Sequence, residues 1–490
     1  MATAALLPVG YLVVRAGADG YDVVRDLILR QRTAELLGRS VGLAVAVTIT
    51  ATVLGVGLAW LTVRCRIPGR PVWQVVCMLP LAIPTYVAGF AYISRFPDLA
   101  GFRGAWLVLC LYSYPYVYLP VVAALRRLDP APAEVARSLG WSATRTFLLV
   151  TLRQLRPAIA TGALLVALYA LSDFGAVSLM RFTAFTRAIY SSYQAGFDRT
   201  PAAVYGCVLV LLTIAIVVAE GRSRRGLRYD PVGRGATRVA ADIDLGAGRW
   251  AAVAFLGALA ALTLGVPAVT LGRWLVSGAS GQLQGAATAR AAGASLLVAL
   301  LGAAATVLAA LPVALLAARS RGTVARWVER ATYVGHALPG VVIALSLVFF
   351  GARYAGSLYQ RLPMLVFAYV VLFLPLAVAG IYASAVQSSP AVEEAAQSLG
   401  VPPHAVLRRV TVPLVAPGVG AGAALAFLAC MKELPATLLL RPTGMDTLAT
   451  RVWTETSSSA FAAAALPAAL LVLAAAVPTY LLTRRTTVPL

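Results

Sequence analysis

The sequence predicts an all-α integral membrane protein of about 12 transmembrane helices, arranged as two parallel six-helix repeats. Three observations carry that prediction. Of the 490 residues, 60% are hydrophobic and 12% charged, and mean hydropathy is +0.82; a soluble domain holds about 45–50% apolar and about 25% charged residues. Apolar runs of about 20 residues, each long enough to cross a bilayer, recur along the chain. The chain is also similar to itself at a nearly constant offset.

Apolar windows place first-half spans near 40–63, 72–94, 103–125, 158–180 and 202–220, and second-half spans near 250–276, 292–318, 327–350, 363–386, 416–440 and 460–483. The stretch Ala4 to Val14 is too short to cross unaided, and no basic residue precedes it, which disfavours a secretory signal. The formal net charge is +22, but its arginines cluster in short loops between apolar spans. Membrane topology, not nucleic-acid binding, is what that pattern predicts. Arg64, Arg66 and Arg70, then Arg126, Arg127, Arg137, Arg145, Arg153 and Arg156, follow two of the spans. Arg222, Arg224, Arg225, Arg228, Arg234 and Arg238 fill a central linker, and Arg484 and Arg485 end the chain. With these in the cytoplasm, loops 95–102, 181–201 and 441–459 face outward. Each half then needs an even number of crossings, six plus six, so the start forms a first span.

Sliding the chain by 260 residues aligns 115–181 with 375–441 without a gap. About 19 identities result, against about six expected by chance in so Ala/Leu/Val-rich a chain. Pro115, Pro130, Glu134, Gly140, Pro157, Gly162 and Arg181 fall on Pro375, Pro390, Glu394, Gly400, Pro417, Gly422 and Arg441. An offset of 255 carries Ser40, Arg64, Arg66 and Pro84 onto Ser295, Arg319, Arg321 and Pro339. An even span count makes the copies parallel, as in a pore or transporter built around a central path. The domains expected are a first unit at 1–220, a basic cytoplasmic linker at 221–249 and a second unit at 250–490. Pro8 matches Pro267, yet far fewer apolar residues precede it, so a first helix that is truncated or begins shallow in the bilayer is expected.

The strongest local signal is polar. Residues 129–141 and 389–401 each open with a capping residue (Asp129, Ser389) and a proline at the first helical position (Pro130, Pro390). Acids follow in the first turns, Glu134 in one copy and Glu393 and Glu394 in the other, where the helix dipole favours them. Gly140 or Gly400 supplies the terminating turn. A second helical segment, 142–155 or 402–415, precedes Pro157 or Pro417, which starts the next span. A capped helix–glycine–helix elbow, present twice with the same Glu, Ser-Leu-Gly and Pro, reads as a docking knob facing the cytoplasm.

Glu394-Ala395-Ala396, with Gly400 and then Pro417, resembles the EAA loop of binding-protein-dependent ABC importer permeases; Glu134-Val135-Ala136 with Gly140 departs from it only at Val135. The resemblance covers essentially the whole chain, as two fused MetI-like permease units. It implies that Glu134, Ala136, Gly140, Glu394, Ala395, Ala396 and Gly400 couple the permease to the ATPase. The partners it implies are two copies of an ABC ATPase subunit and an extracytoplasmic substrate-binding protein, in a bacterial cytoplasmic (inner) membrane. Single-chain fusion resembles ferric iron and thiamine importers. Residues 171–179 (Leu-Ser-Asp-Phe-Gly-Ala-Val-Ser-Leu) with 185–190, and 432–442 (Lys-Glu-Leu-Pro-Ala-Thr-Leu-Leu-Leu-Arg-Pro) with 446–450, are similar to ferric iron permeases. Thiamine, sulfate or a phosphonate are the alternative cargoes within the class; an ion-gradient-driven secondary transporter is the alternative outside it, though it leaves the duplicated loop unexplained.

Ionisable groups inside spans default to functional hypotheses. Asp173 and Glu433 are equivalent under the repeat, and with Lys432 they are candidates for the translocation path, two carboxylates offering transient electrostatic contact to a hard cation. The competing reading pairs them with Lys432, Arg181 or Arg441 as helix braces. His336 reads as a packing residue and His404 as a solvated one. Tyr112, Tyr114, Tyr116 and Tyr118 read as interfacial anchors, with path lining as the alternative. The only lysine, Lys432, lies outside any Walker A pattern, so the chain is not its own ATPase; ATP and Mg are left to the partner. Five cysteines without C-x-x-C spacing support neither a disulfide framework nor zinc. No nucleophile–base pair or metal-ligand spacing occurs, so neither an enzyme nor a bound cofactor is expected.

Overall fold

The structure, a computed structural model, describes residues 2–195, 199–224, 242–277, 285–320, 322–323 and 338–487. His336, most of the 221–249 linker and the opening of the span expected at 327–350 lie outside the described residues. Apart from one isolated bridge, all regular structure among those described is helical. Among the described residues, eight helices are long and apolar enough to cross a membrane, or nine if the bent pair Arg70–Ala82 and Thr85–Arg95 is one span. Shorter apolar helices occur at Leu7–Ala16, Gly340–Tyr354 and Phe461–Ala476.

With the bent pair as one span, the nine spans and the three shorter apolar helices fall at the twelve expected positions, but their bounds differ because apolar windows do not register breaks. The 72–94 window contains a 90° bend, made where Pro84 takes an extended conformation before Thr85. The expected 158–180 and 416–440 spans break at Asp173 and Glu433, whose backbones turn extended (ψ 126 and 128). Conversely, Pro157 and Pro417 do not start spans. Continuous 30-residue helical spans, Ala143–Ser172 and Pro403–Lys432, run through them, each after a π-turn at Phe147–Thr151 or Leu407–Thr411. Those π-turns fall at the same repeat offset, and such turns are rare enough to mark function or strain.

The chain forms two compact units that are not consecutive in sequence. One, the upstream unit, comprises Glu35–Phe185, Leu211–Trp274 and Thr479–Leu490; the other, the downstream unit, comprises Met1–Ala34, Thr186–Val210 and Leu275–Pro478.

In the upstream unit, helices Gln31–Arg64, Pro115–Arg127 and Leu152–Ser172 meet at backbone distance. A Cβ on Gly55 would stand 2.8 Å from Val117 Cβ, and one on Gly162 2.6 Å from Val117 Cα. Tyr112 and Tyr92 donate to the carbonyls of Thr263 (2.6 Å) and Leu262 (2.9 Å), acceptors in the π-turn Ala261–Gly265. Tyr118 bonds Thr62 (2.9 Å). Tyr112, Tyr114 and Tyr118 are buried inside the protein, not placed as interfacial anchors, and the hydroxyls of Tyr112 and Tyr118 find protein partners. The linker's end is pinned here too: Ile243 N–H donates to the Arg64 carbonyl (2.8 Å), Arg66 N–H to the Ile243 carbonyl (3.0 Å), and Arg70 pairs with Asp242 (3.0 Å).

The downstream unit repeats the three-helix body with Gly285–Arg319, Leu362–Gln387 and Val412–Lys432. Their shared core includes Ala310, Val313, Leu374, Ala377 and Ile381. Gly422 approaches Ala377 Cα (3.1 Å to a built Cβ) as Gly162 approaches Val117, the same contact one repeat later. Ser40 and Ser295 correspond as well: their hydroxyls accept the N–H of Phe185 (3.0 Å) and Leu448 (2.7 Å), each opening a helix.

Candidate functional site

The two polar elbows fold as their composition predicts. Asp129 Oδ1 accepts the Ala131 N–H (3.0 Å) ahead of helix Ala131–Ser138, and Ser389 Oγ accepts the Ala391 N–H (3.3 Å) at helix Pro390–Ser398. Each helix ends in a complete Schellman motif. Trp141 N–H reaches the Ala136 carbonyl (3.1 Å) and Gly140 N–H the Arg137 carbonyl (3.0 Å). In the second copy Val401 reaches Ala396 (3.1 Å) and Gly400 reaches Gln397 (2.9 Å). The glycines hold φ +84 and +83, the left-handed region where a side chain is disfavoured.

Glu134 and Glu394 are exposed, as are Ala395, Gly140 and Gly400; Ala136 is buried against its own unit and Ala396 half-buried. A further pair was not singled out by sequence reasoning. Leu139 and Leu399, equivalent under the repeat, are 72% and 83% exposed. The signal available was the Leu inside the duplicated Ser-Leu-Gly. A single exposed leucine needs no explanation, but the same one in both copies, at the tip of a capped helix, does.

Asp173 and Glu433 occupy equivalent helix breaks and do equivalent work. Asp173 Oδ1 accepts the Val177 N–H (3.1 Å) and Oδ2 the Thr85 hydroxyl (2.5 Å). Glu433 Oε1 accepts the Ala436 N–H (3.0 Å), and Oε2 accepts the N–H (3.0 Å) and hydroxyl (3.1 Å) of Thr437. Each carboxylate thus caps the short helix after the break, Gly175–Leu179 or Pro435–Leu440. Arg441 is engaged instead by Asp446, the Met445 carbonyl (3.1 Å) and Thr450 (3.2 Å).

The partners across the break are matched in length. The short Asp173 meets a hydroxyl from Thr85, which follows Pro84; the longer Glu433 reaches Gly340, which follows Pro339, and a Cβ there would stand 3.0 Å from Oε1. Gly340→Thr is therefore expected to lower the thermal midpoint, by about 1–2 kcal/mol of lost stability. Adding Glu433→Asp should recover most of the loss by recreating the Thr–Asp pair. A double variant no better than the single one would refute the matched-length account. Clusters of three or more His, Cys, Asp or Glu able to hold a metal are absent among the described residues.

Comparison with known proteins decides the family. The model of the binding-protein-dependent transport system inner membrane component matches residues 37–229 and again 310–488. The chain belongs to that family. It is a multi-pass inner-membrane permease carrying two permease units, the non-catalytic membrane component of its transport system, and the gradient-driven alternative falls. The chain is 40% identical over 481 residues to the Fe(3+)-transport system permease protein FbpB 2 of Haemophilus influenzae, covering 97% of this chain and 95% of that one. It is 30% identical over 188 residues to the sulfate transport system permease protein CysT of Escherichia coli, covering 35% of this chain and 68% of that one. With the molybdenum transport system permease protein ModB of Escherichia coli it shares 32% identity over 138 residues, 25% of this chain and 60% of that one.

Proposed function

We propose that the chain is the fused permease of an ATP-driven importer of ferric iron, with cargo delivered by an extracytoplasmic binding protein and ATP and Mg used by two separate ATPase subunits. The observation that carries the cargo assignment is the 40% identity to an Fe(3+)-transport permease over nearly the full length of both chains; the sulfate likeness covers a third of this one. The permease units at 1–220 and 250–490, joined by the 221–249 linker, are the products of duplication in this reading.

Helices Ala131–Ser138 and Pro390–Ser398 are the proposed coupling elements. Glu134 and Glu394 offer charge to an ATPase groove, Leu139 and Leu399 fill it, Ala395 and Ala396 allow close approach, Ala136 seats its helix on its own unit, and Gly140 and Gly400 turn the backbone. Asp173, Glu433 and Lys432 stand at helix breaks in the proposed path, the carboxylates shaping it as caps and not as tight ligands; tight binding would hinder release.

The test is uptake of radiolabelled ferric iron by iron-starved cells with the gene deleted and restored. Uptake lost on deletion and regained with the intact chain is expected. Unchanged iron uptake, with sulfate uptake lost instead, would move the cargo to the second relative's class and leave the permease assignment standing.

A further inference from the structure

Arg319 ends the helix Gly285–Arg319, far in sequence from the second coupling helix, yet its guanidinium closes over that helix's start. Nη1 donates to the carbonyls of Ala385 (3.2 Å) and Ser388 (3.0 Å), and Nη2 donates to Ser388 Oγ (2.9 Å) and Glu393 Oε1 (2.8 Å). Both members of the ion pair are about four-fifths buried, so the bond escapes most of the solvent screening that makes surface pairs weak. One planar fork thus joins three pieces: the last turn of Leu362–Gln387, the Ser388–Ser389 corner, and the first turn of Pro390–Ser398. A lysine, with one point of charge, does not reproduce that geometry. Glu393 faces its own unit while Glu394 faces solvent, which divides the two adjacent acids between holding the helix and presenting it.

We propose that Arg319 is a positioning residue for transport, fixing the angle at which the second coupling helix leaves the membrane so that ATPase motion reaches the three-helix body without slack. The proposal rests on the coupling role given above to Pro390–Ser398. At the repeat-equivalent helix end, Arg64 lies within electrostatic reach of both Glu134 and the linker's Asp242.

The test uses the whole transporter, this chain with its ATPase subunits in proteoliposomes, supplied with ferric iron on its binding protein. Iron taken up per ATP hydrolysed is the readout, with thermal midpoint and ATPase retention recorded alongside. Arg319→Gln is expected to lower uptake per ATP about tenfold, the loss of a charge-assisted coupling contact, beyond any fall in midpoint and with its ATPase subunits still bound. Glu393→Gln should lower it less, and Arg319→Lys should restore part of it. Unchanged uptake per ATP in Glu393→Gln overturns the proposal, even if Arg319→Gln fails to assemble. Gly400→Asp runs in parallel: if it too leaves the ratio unchanged, the coupling role itself fails; if it uncouples while both Arg319→Gln and Glu393→Gln do not, only the role of Arg319 fails.

Discussion

Gly400→Asp is expected to leave an assembled transporter that hydrolyses ATP while uptake falls at least about tenfold. A Cβ at Gly400 meets nothing within 4 Å, so no clash unfolds the protein. The cost is conformational. At φ +83 an L side chain adds about 1–2 kcal/mol, enough to shift the elbow to another turn and break the Val401–Ala396 and Gly400–Gln397 bonds. The added carboxylate also puts a charge beside the exposed Leu399. ATP hydrolysis and iron uptake measured on the same proteoliposomes separate the effects. Normal uptake, or parallel loss of hydrolysis and assembly, would count against a coupling role. Gly140→Asp, at φ +84 with equally open space, tests whether both elbows are needed.

Gly418→Ile is expected to have the largest structural effect. A Cβ at Gly418 would stand 2.5 Å from the Gly380 carbonyl oxygen and 2.6 Å from Ser384 Oγ. Helices Leu362–Gln387 and Val412–Lys432 touch there at backbone distance, through the small-residue spacing Gly418-x-x-x-Gly422. A branched side chain must push the helices apart, at about 1–3 kcal/mol or more. The same substitution at Gly420 is the internal control, since a Cβ there meets nothing within 4 Å on the same helix. Thermal unfolding in detergent should show Gly418→Ile well below the parent and Gly420→Ile close to it. Equal midpoints would remove the glycine contact as a determinant of the fold.

Local signals were the legible ones. The elbows could be read because capping residue, proline, acid and glycine all act within one helix, and the structure returns the capping side chains and the glycines with their hydrogen bonds. The equivalence of Asp173 and Glu433 was visible through the repeat, but their task was not, because Thr85 lies 88 residues from Asp173. Pro157 and Pro417 misled for the opposite reason: a proline is a strong local stop in soluble helices, but membrane helices tolerate it, as Leu362–Gln387 runs through Pro375. Arg319 could be read only as the repeat partner of Arg64, since Glu393 and Ser388 reach it from across the fold. Of the spans, the straight ones kept their expected places, and the bent or interrupted ones shifted their bounds.

The composition of the compact units bears on how the protein is made. The downstream unit requires Met1–Ala34 and Thr186–Val210 as well as Leu275–Pro478, and the upstream unit requires Leu211–Trp274 after Phe185. As the chain leaves the ribosome, Gln31–Arg64 and its neighbours can pack early, but they wait for the π-turn Ala261–Gly265 to offer the Leu262 and Thr263 carbonyls to Tyr92 and Tyr112. Helix Ala2–Ala16, synthesised first, waits longest, because its partner Gly340–Tyr354 arrives more than 300 residues later, where Ser346 bonds the Pro8 carbonyl. Such long-range closures slow assembly and leave early surfaces uncovered in the bilayer. Neither sequence half contains all the segments of one compact unit, and covalent fusion keeps the late segments near the early ones.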